Sequence, residues 1–186
     1  ATPAPAVPGW KRYDDPPPAP GPRGGGTEVG GLHADPDGAV AAAVAAFRQF
    51  RELSLGQRQA IIAAARAALL PRAEDLARAA VEETGLGRVA HKIAKNRLVI
   101  TKTPGPEILT ADAVSGDDGL TLTELAPFGV ITAITPVTNP SETVINNAIS
   151  MLAGGNAVVF NAHPTARRVT AETIRIITAA ARGAGC

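Results

Sequence analysis

Two short stretches hold the residues best suited to chemistry. The first is Thr135-Pro-Val-Thr-Asn139, which follows the apolar run Gly129-Val-Ile-Thr-Ala-Ile134 and leads into Pro140-Ser-Glu-Thr-Val-Ile-Asn-Asn-Ala148. Asn139, Pro140 and Glu142 have the form of a capping box: a cap residue, proline at the first helical position and a carboxylate three residues after the cap. Asn139 then has two readings. It caps the helix, or its side-chain amide donates a hydrogen bond to an oxygen that gains charge during a reaction. The free N–H groups and dipole at a helix amino terminus favour that second role. The other stretch is Asn161-Ala-His-Pro164, after Asn156-Ala-Val-Val-Phe160. His163 is either structural or a ligand contact. Arg167 and Arg168 place positive charge in the first turn of the final helix, against its dipole. They form a solvated basic edge, or a bound phosphate offsets the mismatch. Cys186 ends the chain as Gly-Ala-Gly-Cys with nothing beside it to activate a thiol, so it is not expected to be a nucleophile.

The elements that must position these residues read as a β-α-β unit. A buried strand over 129–134, a helix from Pro140 and a second strand over 156–160 are joined through Gly154-Gly155. Polar residues gather at the carboxyl ends of the strands, where open α/β sheets bind ligands. Neither loop contains Gly-x-Gly-x-x-Gly, so any dinucleotide held there would be bound without that fingerprint. Upstream, helical spacing predicts a helix from an Asp35 or Asp37 cap through Val40, Val44, Phe47 and Phe50. A second is expected over about 54–70, halted or kinked at Pro71, a third over 73–84 closed by Gly85, and a fourth over about 90–101. Leu120-Thr-Leu-Thr-Glu-Leu125 alternates as a half-exposed strand after a turn over 115–119. A last helix is expected over about 165–181. The fold class is therefore α/β: a helical lead-in, then part of a doubly wound, Rossmann-like sheet.

The 186 residues suffice for one domain and a sizeable core. A net charge of +1 gives no general attraction to nucleic acid or anionic membrane. No run approaches the roughly 20 apolar residues of a membrane span. One cysteine leaves no internal disulfide framework and fits a reducing cytoplasm, and no metal ligand set is expected. Residues 1–34 form a separate Pro/Gly-rich zone, expected to be a disordered linker in which Trp10 and Tyr13 are either isolated aromatics or a recognition spot for a partner. Residues 35–186 form the folded part, with an oligomerisation strand expected near 120–126.

Several stretches together carry a resemblance: Glu82-Glu-Thr-Gly-Leu-Gly-Arg-Val89, Lys92-Ile-Ala-Lys-Asn-Arg97, Lys102-Thr-Pro-Gly105, Pro127-Phe-Gly-Val130, Thr135-Pro-Val-Thr-Asn-Pro140, Ile145-Asn-Asn-Ala-Ile-Ser150 and Ala157-Val-Val-Phe160 with His163-Pro164. From about residue 37 to 186 the chain resembles the aldehyde dehydrogenase superfamily, and within it the CoA-acylating propionaldehyde/acetaldehyde dehydrogenases of bacterial microcompartments. The resemblance implies oxidation of a short-chain aldehyde through a thiohemiacetal on a cysteine, hydride transfer to NAD, and release of acyl-CoA by coenzyme A. It assigns Asn139 to the oxyanion, and Thr135, Pro136, Val137 and Thr138 to the loop along the cofactor. It assigns Asn161, Ala162, His163 and Pro164 to the loop near its adenosine, and His163 and Arg167 to phosphates of NAD or CoA.

Thr138 and Asn161 stand where hydrolytic members usually have tryptophan and lysine, which favours the CoA-acylating branch. Asn-Ala-His-Pro replaces that branch's common Ser-Pro-His-Pro. The resemblance also implies that the catalytic cysteine and a second glycine-rich loop lie beyond residue 186. The chain is then expected to be the amino-terminal part of a larger cytoplasmic enzyme, housed in a microcompartment, with an aldehyde substrate, a homo-oligomeric state and shell proteins as partners. The alternatives are a hydrolytic aldehyde dehydrogenase and a non-catalytic cargo or assembly module.

Overall fold

The computed structural model describes residues 28–186. The linker expected over 1–34 therefore lies mostly outside the described residues, as do Trp10 and Tyr13. Residues 28–34, assigned to that linker from composition, are tied to the body: Val29 and Leu32 form a bridge across Gly30-Gly31, and the Arg182 guanidinium donates to Glu28.

Six helices and four strands follow. Helix α1 (Pro36–Phe50) starts at Asp35, whose carboxylate accepts from the Gly38 N–H at 2.7 Å. Helix α2 (Leu55–Leu69) begins with a reciprocal Ser54–Gln57 capping box, and Pro71 ends it in a short 3₁₀ turn over 70–72. Helix α3 (Ala73–Thr84) closes on Gly85 at φ +69°, a left-handed conformation that glycine adopts at little steric cost. Helix α4 spans Val89–Lys102. Strands β1 (Asp112–Gly116) and β2 (Gly119–Thr123) form an antiparallel hairpin.

Strand β3 (Val130–Ile134), helix α5 (Pro140–Ala153) and strand β4 (Ala157–Asn161) make the β-α-β unit, with β3 and β4 parallel and Ile134 opposite Asn161. A 3₁₀ turn over 164–166 precedes helix α6 (Arg167–Gly183).

Three expectations are corrected. The turn over 115–119 shrinks to Asp117-Asp118, because Ser115, Gly116 and Gly119 belong to the hairpin strands. The strand over 120–125 ends at Thr123 and is exposed on both faces rather than one, since among the described residues its only strand partner is β1. Strand β3 is not buried throughout: Ala133 is inside, but Ile134 is 78% exposed. Among the described residues its sheet has two strands, so each has one edge without a strand partner.

The core instead lies among the helices. Ile62, Ala65 and Leu69 of α2 meet Leu76 and Ala80 of α3, Ile100 of α4, Val144, Ile145 and Ile149 of α5, and Val169 and Ile177 of α6. Small alanines let α2 approach α6 and α3 approach α4 closely. Helix α1 packs against β3 and β4, and its Phe47 ring lies 3.8 Å from where a side chain on Gly129 would begin. The sheet is thereby fixed at one side of the helical core with the carboxyl ends of β3 and β4 side by side.

Candidate active site

The two polar loops meet because their strands are paired to the last residue. The Thr135 N–H donates to the Asn161 carbonyl at 3.0 Å and its hydroxyl donates to the same oxygen at 3.3 Å. Thr135 is 2% exposed, so its hydroxyl donor is spent inside the protein. At the other end of the unit, Asn156 holds the strand starts: its Oδ1 accepts from the Phe128 and Gly129 N–H groups, and its Nδ2 donates to the Met151 carbonyl.

The capping box expected at Asn139 does not form. Asn139 sits at the N-cap of α5 with Pro140 next, but its side chain accepts no bond from the helix. Glu142 is drawn elsewhere. It is buried, its Oε1 lies 3.7 Å from the Lys92 ammonium, and its Oε2 accepts from the Ser141 hydroxyl. A buried cation is a stronger partner for this carboxylate than a backbone N–H at the cap.

Instead the Asn139 side chain turns to α4. Its Oδ1 accepts from the Lys95 ammonium at 3.1 Å. An ammonium only donates, so the oxygen end of the amide must face Lys95 and the Nδ2 end faces away. Nδ2 makes one long contact, 3.5 Å to the Thr138 hydroxyl oxygen. That leaves donor capacity at the carboxyl end of β3 and the positive end of α5.

Three residues of α4 support this arrangement. Lys92, 3% exposed, donates to the Thr138 carbonyl at 2.7 Å. Asn96, fully buried, donates to the Ala73 carbonyl at 2.9 Å, and its Oδ1, 3.0 Å from the Ser141 hydroxyl, shares that one proton with Glu142. Lys95 holds the Asn139 amide. None of the three was a candidate from sequence. A usable signal existed: positions 92, 96 and 100 lie on one helix face, and Ile100 marks that face as inward.

In the second loop, His163 is half-buried. Its Nδ1 accepts from the Thr165 N–H at 3.3 Å and faces the Thr165 hydroxyl at 3.0 Å. A backbone N–H only donates, so Nδ1 is the acceptor here, and Nε2 makes no hydrogen bond among the described residues. Asn161, Pro164, Pro136 and Thr138 are exposed and Ala162 is half-buried. Val137 packs on the helical core instead.

The phosphate reading of the last helix meets an obstacle. The Arg168 and Val169 N–H groups at the start of α6 both donate, at 2.8 Å, to the carboxylate of Glu83 from α3. An internal anion already occupies the dipole. Arg168 also pairs with Glu83 at 3.9 Å. Arg167 is exposed on a shallow cleft with Glu82, Glu83, Glu172 and Arg175, so it brings only its side chain to any anion.

Cys186 is exposed, and partial burial of its sulfur pushes the thiol up from its ordinary value despite the nearby Arg182 charge. Such a thiol is protonated near neutrality and poorly nucleophilic. Among the described residues, no cluster of His, Cys, Asp and Glu can hold a metal ion, and no helix is long and apolar enough to cross a membrane.

The chain is similar to known proteins. The chain is 53% identical over 142 residues to acetaldehyde dehydrogenase (acetylating) of Bilophila wadsworthia, covering 76% of this chain and 29% of that one. It is 45% identical over 139 residues to propanal dehydrogenase (CoA-propanoylating) of Salmonella typhimurium, covering 75% and 30%. Among solved structures it matches a cysteine-to-alanine mutant of propionaldehyde dehydrogenase from the Clostridium phytofermentans fucose utilisation microcompartment. That match has a TM-score of 0.82 and 52% identity, over 84% of this chain and 36% of the other. It also matches Rhodopseudomonas palustris propionaldehyde dehydrogenase with bound CoA and an acylated cysteine, with a TM-score of 0.83 and 47% identity, over 86% and 37%. The chain thus spans about a third of the length of the curated relatives it matches. The aldehyde dehydrogenase family model matches residues 29–185, and the chain belongs to that family.

Proposed function

We propose that this chain supplies the oxyanion donor and one wall of the cofactor cleft of a CoA-acylating aldehyde dehydrogenase acting on a short-chain aldehyde. The observation that carries this reading is the Asn139 amide, anchored through its oxygen by Lys95 and presenting its N–H end beside the β3–β4 loop pair. A donor held in place before reaction costs no reorganisation when the carbonyl oxygen becomes negative, which is why one such group is worth a rate factor of about 10² to 10³. The relatives' names support the acyl-CoA product, since acetylating and CoA-propanoylating enzymes stand at 45–53% identity.

The residues present fit a nucleotide cofactor. Two adjacent loops at the carboxyl ends of parallel strands offer exposed Asn161 and Thr138 and a half-buried His163 whose Nε2 makes no hydrogen bond among the described residues. We assign Asn161, Ala162, His163 and Pro164 to the adenosine side, Thr135 to Thr138 to the loop lying along the cofactor, and the Arg167 side chain to a phosphate of NAD or CoA. Thr135 and Val137 act there through backbone and shape, because their side chains face inward. A nicotinamide cofactor held by these loops would supply the hydride acceptor. The chain's own part is to orient the carbonyl and stabilise its oxygen with the Nδ2–H of Asn139. A soluble site inside a microcompartment and a homo-oligomeric assembly belong to the same proposal.

The test is NADH formation by the protein expressed from its entire reading frame, supplied with propionaldehyde, NAD and CoA. The expected result is turnover that requires CoA; turnover unaffected by omitting CoA overturns the acylating assignment in favour of hydrolysis.

A further inference from the structure

We infer that Lys95 is a positioning residue that fixes the direction and strength of the Asn139 donor. The inference rests on the function proposed above. An asparagine amide is nearly symmetric in shape, and rotation by half a turn exchanges a donor for an acceptor. An Asn139 with Oδ1 at the reacting carbonyl would repel the developing oxyanion. Nothing on α5 prevents that flip, because the side chain makes no bond to its own helix. The Lys95 ammonium does: it sits 3.1 Å from Oδ1, and ammonium against Nδ2 would set donor against donor.

The charged bond also draws electron density from the amide, so the Nδ2–H beyond it becomes a better donor. Lys92, one turn earlier on α4, completes the constraint on the backbone. It pulls the Thr138 carbonyl inward at 2.7 Å, and in a trans peptide the Asn139 N–H then points the opposite way. Lys95 is exposed and touches no core residue through its ammonium, so its replacement tests orientation rather than folding.

The experiment compares Lys95→Met, Lys95→Arg, Asn139→Ala and the Lys95→Met/Asn139→Ala double variant in the protein from its entire reading frame. The readouts are steady-state kinetics with propionaldehyde, NAD and CoA, and melting temperature. Lys95→Met should lower kcat about tenfold or more with KM values and melting temperature unchanged, as expected for loss of an interaction made in the transition state. Lys95→Arg should recover most of the loss, and Lys95→Met should cost nothing further once Asn139 is alanine.

An unchanged kcat in Lys95→Met, or additive losses in the double variant, overturns the inference while a crippled Asn139→Ala leaves the proposed function standing. A wild-type protein without aldehyde turnover, or an Asn139→Ala variant as fast as wild type, overturns the function and this inference with it.

Discussion

At the scale of single residues, the site is organised by which atoms are already spoken for. Thr135 has given its hydroxyl proton to the Asn161 carbonyl, Glu142 has turned to Lys92, and Glu83 has filled the amino end of α6. What remains outward is Nδ2 of Asn139, Nε2 of His163 and the side chains of Asn161 and Thr138. For His163 the expected outcome of His163→Ala is a KM for NAD raised about tenfold, the worth of one good hydrogen bond, with kcat nearly unchanged. Cofactor titrations of the entire protein measure it, and an unaltered KM removes His163 from the site. Sequence alone placed Asn139 at the start of a helix but could not say where its amide points. That depends on Lys95, 44 residues away, and no local spacing encodes such a contact.

Between elements, α4 is the piece that locates the loop. Lys92 and Glu142 form an ion pair inside the protein, with side chains 4% and 6% exposed. Their attraction does little more than offset their desolvation, but removing one partner strands the other. Lys92→Met is therefore expected to destabilise by about 3 kcal/mol or more, and Lys92→Met/Glu142→Leu should recover most of that. Denaturant unfolding checks both, and additive losses would contradict the pairing.

Glu83 predicts a smaller effect. Glu83→Gln weakens the charge-assisted cap of α6 and should cost about 1–2 kcal/mol in the same measurement. Helices α1 to α4 and the β-α-β unit were legible from their apolar periodicity, with Asp35 opening α1 and Gly85 closing α3 as their residue types imply. The first hairpin strand was not, since Asp112-Ala-Val-Ser-Gly116 is short, polar and stabilised only by pairing with β2. Lys92 and Asn96 were missed for the opposite reason: polar residues on a helix read as a solvent face unless a partner from elsewhere buries them.

At the scale of the whole molecule, a well-packed helical core supports a thin sheet and a bare hairpin. Val114, Leu120 and Leu122 of the hairpin are exposed, as are Leu125, Phe128 and Ile134, and Phe128 is 92% accessible. Apolar surface of this extent beside an unpaired strand edge favours association. The 186-residue chain is expected to self-associate and to bind a hydrophobic dye such as ANS at micromolar concentration. A monodisperse monomer that binds no dye would contradict this.

Acid sensitivity has a separate source. The hydrogen bond from Arg182 holds the Glu28 carboxyl below its ordinary value of 4.5. A depressed carboxylate stabilises the fold above its ordinary titration range, and that contribution is lost as pH falls through the lowered value. Glu28→Gln should therefore remove a small part, under about 1 kcal/mol for so exposed a pair, of the stability difference between neutral and acid pH.

The central claim is that the Nδ2–H of Asn139 meets a carbonyl oxygen as it becomes negative. Asn139→Asp keeps the shape, replaces that donor with an acceptor, and leaves an oxygen for Lys95 to hold. The kcat of this variant in the protein from its entire reading frame, with propionaldehyde, NAD and CoA at saturation and folding verified by an unchanged melt, is the decisive measurement. A fall of about 10² or more is the predicted result. A kcat within twofold of wild type would contradict the account.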